Sequence, residues 1–78
     1  MAKFEEIEMV ELKSSNIAAV GYSEVTSTLR VMFCGSKRTY DYSDVPKSHY
    51  YNMISETMSA GHYFYVNIRD KYVSVEIT

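Results

Sequence analysis

The sequence predicts a small α+β domain, an antiparallel β-meander packed against one main helix and a second short helix. Three observations predict it. Thr28 to Cys34 alternates, with Leu29, Val31 and Phe33 on one side of an extended chain and Arg30 and Met32 on the other. Gly35-Ser36 separates this run from a second alternating one, Lys37 to Tyr42, as the two-residue turn of a hairpin would, with glycine supplying a positive φ. Beyond Asp44-Val45-Pro46 the period changes: Tyr50, Met53 or Ile54, and Thr57 or Met58 recur at the spacing of one helix face.

The remaining elements follow in order. Phe4 to Leu12 alternates in part, so residues 1–12 read as an acidic N-terminal arm or edge strand, and residues 13–78 as a single α+β domain. Ser14-Ser15-Asn16 is a polar turn cluster, and Ile17 to Tyr22 is the first core strand, joined to the next by Ser23 to Ser27. In the third strand Arg38, Tyr40 and Tyr42 share one face while Lys37, Thr39 and Asp41 share the other. The main helix is expected from about Pro46 to Met58, with Asp44 capping it, proline in its first turn, and Gly61 as its stop. His62 to Tyr72 reads as a second helix or irregular turn, and Val73 to Ile77 alternates as a final strand.

A chain of 78 residues makes one domain, because at this length folding buries only about 60% of the unfolded surface. Hydrophobic residues make up 46% and eight residues are tyrosine, enough for a packed core but a small one. With neither disulfides nor a metal framework to reinforce that core, self-association is the expected support, hence a homo-oligomer. Cys34 has no partner cysteine, which fits a reducing cytoplasm. No run of about 18 apolar residues is present to cross a membrane, and the N-terminus is acidic where a signal peptide would be basic and then apolar.

The net charge of −2 excludes a global attraction for duplex nucleic acid. Glu5, Glu6, Glu8 and Glu11 against Lys3 concentrate the negative charge in residues 1–12 and leave the rest nearly neutral. His49 and His62 lack metal-ligand spacing, and Cys34 sits in no nucleophile signature. The three glycines are scattered, so there is no phosphate loop and no cofactor motif. The chain is therefore read as non-enzymatic.

An ordered set of short motifs adds to this reading. Ser14-Ser15-Asn16-Ile17, Gly21-Tyr22, Leu29-Arg30-Val31-Met32-Phe33, Tyr40-Asp41-Tyr42, Val45-Pro46, Ser59-Ala60-Gly61-His62-Tyr63-Phe64 and Ile68-Arg69-Asp70-Lys71-Tyr72 run in sequence over residues 10–73. In this the chain resembles the KTSC domain family, known from the C-terminus of some lysyl-tRNA synthetases and as small separate proteins. The resemblance implies an α+β fold and a role in RNA binding. Two positions depart from the usual pattern: His62 stands where a basic residue is frequent, and Tyr65 replaces an asparagine after the aromatic pair.

The candidate ligand-binding residues are Tyr42, Tyr40, Arg38, Arg69, Ser15, Asn16 and His62. Tyr40 and Tyr42, two apart on a strand, present both rings to one side as a stacking platform for bases, although sheet packing alone also favours aromatics there. Arg38 shares their face, and Arg69 offers a bidentate fork to phosphate unless Asp70, Asp41 or Asp44 pairs with it. Ser15 and Asn16 are polar groups at a turn, able to touch a ligand or merely to form the turn.

The function expected is binding of a small nucleotide or short single-stranded RNA, in a form suited to a phage or bacterial accessory protein that sequesters a nucleotide signal as a homo-oligomer. A second reading is a protein-interaction module or inhibitor whose acidic arm and exposed tyrosines meet a basic protein partner. A third, a small hydrolase acting on a nucleotide with His62 as general base, requires a carboxylate or hydroxyl network around His62 that sequence spacing does not show.

Overall fold

A computed structural model describes residues 7–36, 38–55 and 59–77. Five strands form one antiparallel sheet in chain order: β1 Met9–Glu11, β2 Ile17–Ser23, β3 Thr28–Phe33, β4 Thr39–Tyr42 and β5 Ser74–Glu76. Two helices, α1 Lys47–Ile54 and α2 Ala60–Asn67, connect β4 to β5. The α+β meander expected from the sequence is the observed fold. Phe4 lies outside the described residues, while Met9 to Glu11 pairs with Ala19 to Gly21 as an edge of the sheet.

The core sits between one face of the sheet and the helices. Val20 lies opposite Val31, and Ile17 opposite Phe33, although residues three apart on a regular strand would point to opposite faces. A bulge between Ile17 and Ala19 resolves the conflict by inserting one extra residue, so Ile17, Val20 and Tyr22 all face the helices. With Leu29, Val31, Tyr42, Val45, Met53, Phe64 and Ile68 they complete the apolar cluster.

Local chemistry explains how the helices are set down. Tyr50 stacks on Tyr22 with centroids 5.8 Å apart, and the Tyr22 hydroxyl donates to the Val45 carbonyl at 2.5 Å, which fixes the entry to α1. The Tyr63 hydroxyl accepts from Asn52 Nδ2 at 2.7 Å and meets His49 Nδ1 at 2.7 Å, tying α2 to α1. This hydrogen bond accounts for His49, whose ring also contacts Tyr72.

Four sequence expectations are corrected. The β3–β4 hairpin forms, but its connection is longer than Gly35-Ser36: the Phe33 N–H donates to the Arg38 carbonyl, which sets the last rung of the ladder one residue before Cys34. Gly35 does take a positive φ of 78°. Asp44 is not the cap of α1. It occupies the left-handed region at φ 56°, and the N-cap position falls to Pro46 without a side-chain hydrogen bond. The main helix ends at Ile54, short of Met58, and residues 56–58 lie outside the described residues. Gly61 is not a helix stop; it lies in the first turn of α2, which Ser59 caps by accepting from the His62 N–H at 3.3 Å.

Gly21 shows why β1 lies where it does. A Cβ there would sit 2.5 Å from Ile7 Cγ2, 2.6 Å from the Glu8 carbonyl oxygen and 2.8 Å from Met9 Sδ. Because Glu8 contributes backbone, the clash cannot be relieved by a rotamer change. Gly21→Ala is expected to cost about 1–3 kcal/mol by overpacking and to expose the β1 amides. Urea unfolding together with amide hydrogen exchange of residues 9–11 checks this.

Candidate functional site

The bulged end of β2, the β3–β4 hairpin and one face of α2 enclose an open cleft of about 770 Å³. Its floor is apolar, made of Ile17, Phe33, Tyr42 and Phe64. Phe64 packs edge-on against Phe33 at 5.3 Å and against Tyr42 at 5.4 Å, so the floor is continuous with the core. Arg38 and Tyr40 rise from the β4 side, Asn16, Cys34 and Ser36 from the hairpin end, and Ser59, Gly61, His62, Tyr65 and Arg69 from α2 and its flanks.

Six of the seven residues singled out in the sequence meet here: Asn16, Arg38, Tyr40, Tyr42, His62 and Arg69. Ser15 does not. It is exposed in the turn before β2 and borders a separate hollow between β1 and the ends of the helices. Gly61 lets Asn16 lie close, since a Cβ on it would stand 3.0 Å from Asn16 Nδ2.

The two strand tyrosines are not an open platform. Tyr42 is buried beneath α2, and its ring is tilted 39° to that of Tyr40 with centroids 6.5 Å apart. A flat base cannot stack on both at once. The accessible aromatic is Tyr65, 63% exposed, with the Arg69 guanidinium 5.1 Å from its ring centre. Tyr65 was not among the candidates, yet it stands three residues after His62 on α2, and Arg69, in the turn just beyond the helix, comes back over its ring.

The cations differ in how they are held. Arg30 is locked in a bidentate pair with Asp41, at 2.7 and 2.9 Å, on the sheet face away from the helices. That hydrogen bond holds its guanidinium pKa above the ordinary value, despite an opposing contribution from burial. Asp41 is thereby unavailable to Arg69, contrary to one sequence expectation. Among the described residues no carboxylate comes within ion-pair distance of Arg69. Arg38 reaches Glu76 at only 3.8 Å with 61% of its side chain exposed, a pairing that a ligand can displace at little cost.

Burial pushes the Tyr42 phenol above its ordinary value, Tyr40 adds to the rise, Arg69 opposes it, and Asp70 raises it further. A phenol raised in the folded state favours folding below its unfolded pKa of about 10, and that contribution is lost as pH climbs through the folded value. Urea midpoints measured from neutral pH to beyond pH ~10 should therefore fall in the alkaline range, and the fall should be shallower in Tyr42→Phe.

Among the described residues no group of three His, Cys, Asp or Glu side chains is placed to hold a metal ion, and no helix is long and apolar enough to cross a membrane. Cys34 lies half-buried at the cleft, its Sγ 3.5 Å from the Ser14 carbonyl oxygen.

Comparison with known proteins places this geometry in a family. A search of curated proteins gives no match. The crystal structure of a KTSC domain protein from Yersinia pestis superposes with a TM-score of 0.85 at 27% identity, covering 94% of this chain and 100% of that one. The model of the KTSC domain matches residues 13–72, which include every residue lining the cleft, and the chain belongs to the KTSC domain family.

Proposed function

We propose that the cleft binds a small nucleotide or a short stretch of single-stranded RNA without transforming it. The observation that carries this reading is the cleft's composition: two arginines, a histidine and exposed Tyr65 over an apolar floor, with no acidic residue among the described residues of the lining, in a chain whose net charge is −2. Guanidinium groups suit phosphate, and an exposed ring beside a cation suits a base. A few cationic contacts favour a short ligand, because long polyanions draw their affinity from many.

Calorimetric titration with ribonucleotides and short single-stranded RNAs tests the proposal. Saturable binding that weakens with salt supports it, and heat no greater than dilution for every member of the set overturns it. The competing reading, a basic protein partner recognised through the acidic arm, is separated by removing residues 1–6. A cut after Leu12 would also delete β1. Unchanged nucleotide binding after that truncation keeps the cleft as the site, whereas lost capture of a basic partner would support the arm.

A further inference from the structure

We propose that β5 is the contact surface for a second copy of this chain, pairing antiparallel with its own symmetry mate about a two-fold axis at Val75. The inference deepens the reading of the cleft, because it puts two clefts on one side of a joined sheet.

β5 is an edge of the sheet. The Val73 carbonyl accepts from the Ser43 N–H and the Ile77 N–H donates to the Thr39 carbonyl, so residues 73, 75 and 77 turn their backbone groups inward to β4. The N–H and C=O groups of Ser74 and Glu76 consequently point outward. Edges of this kind are ordinarily guarded by lysine, proline or a bulge. The segment Val73-Ser74-Val75-Glu76-Ile77 holds no lysine, proline or bulge and a single charge, Glu76, on the helix side, whereas the opposite edge, β1, carries three charges, Glu8, Glu11 and Lys13, in and around it.

The side chains are self-complementary in one register. Val73, Val75 and Ile77 lie on the face away from the helices and are 73%, 58% and 40% exposed. With the axis at Val75, that residue meets its own copy and Val73 meets Ile77, so the exposed apolar groups cover one another. On the other face Ser74 meets Glu76, a hydroxyl opposite a carboxylate, so like charges are not opposed. Four backbone hydrogen bonds join Ser74 and Glu76 of the two copies. Glu76 neighbours Tyr40, and Ser74 neighbours Tyr42. The tyrosine rows of the two copies therefore stand about 14 Å apart, three strand spacings of about 4.8 Å, within reach of one ligand carrying two nucleotide units. A contact confined to one short strand is small, at the end of the size range where association is weak and transient.

The test is sedimentation equilibrium of the whole chain without ligand, from about 1 to about 500 µM, for the parent, Val75→Lys, Val75→Glu and an equimolar mixture of the two variants. The parent should dimerise with concentration. Each variant alone should associate at least about tenfold more weakly, because like charges meet at the axis, and the mixture should regain dimerisation. A parent monomeric throughout, variants that dimerise as the parent does, or a mixture that stays monomeric overturns the interface. Calorimetry of Val75→Lys with a ribonucleotide is read separately, so failure of the dimer and failure of the cleft are distinguishable.

Discussion

Phe64→Ala is expected to leave the chain largely unfolded at room temperature. Phe64 is 6% exposed and joins two aromatic contacts, with Phe33 from the sheet's third strand and Tyr42 from its fourth, beneath the second helix. Removing a buried phenylalanine costs about 3–5 kcal/mol, the transfer of its ring plus the cavity left behind. A core of this size supplies only about 3–5 kcal/mol in total, so the loss matches the reserve. Phe64→Leu keeps most of the volume and should unfold cooperatively at a lower urea midpoint. If Phe64→Ala retained a midpoint near the parent's, the packing of α2 on the sheet would not be the main source of stability.

The second large effect falls on binding. Arg38→Ala and Arg69→Ala should each weaken nucleotide affinity about 10- to 100-fold, since a hydrogen bond to a charged group contributes about 1.5–3 kcal/mol and about 1.4 kcal/mol is a factor of ten. Both should also flatten the dependence of affinity on salt, because each removes one cation from the contact. Lys71→Ala, exposed and outside the cleft, should change neither. Arg69 should matter more than Arg38, because Arg38 must first leave Glu76. Calorimetric titration at two salt concentrations reads affinity and slope together.

Much of the fold and of the site was legible because the signals were local. Alternation in Leu29, Val31 and Phe33 and in Arg38, Tyr40 and Tyr42 decides which side of each strand a residue takes, so the grouping of cations with tyrosines could be read from spacing. The bulge at Ile17 and Ala19 could not, since an inserted residue leaves no mark in composition. Gly61 misled for a related reason. A glycine near a helix ordinarily marks a left-handed turn, but here it makes room for Asn16, a contact between segments far apart in the chain. Treating it as a stop placed the start of the second helix at His62 rather than Ala60, and nothing in the spacing marks Tyr65 as the exposed ring beside half-buried Tyr63 and buried Phe64. Asp44 resembles a cap but takes a left-handed turn that aspartate tolerates better than most residues. Arg30 and Asp41 sit directly opposite on adjacent strands, a pairing visible only once the register is known.

The most direct test of the central claim is a nuclear magnetic resonance titration of the isotopically labelled chain with ribonucleotides, following backbone amides, tyrosine rings and arginine Nε groups. Saturable shifts gathered at Asn16, Arg38, Tyr40, His62, Tyr65 and Arg69, with the Arg30 Nε signal unmoved in its pair with Asp41, are the predicted result. Spectra that remain unchanged across the titration, or shifts confined to the hollow beside Ser15, would contradict the assignment of the cleft as a nucleotide site.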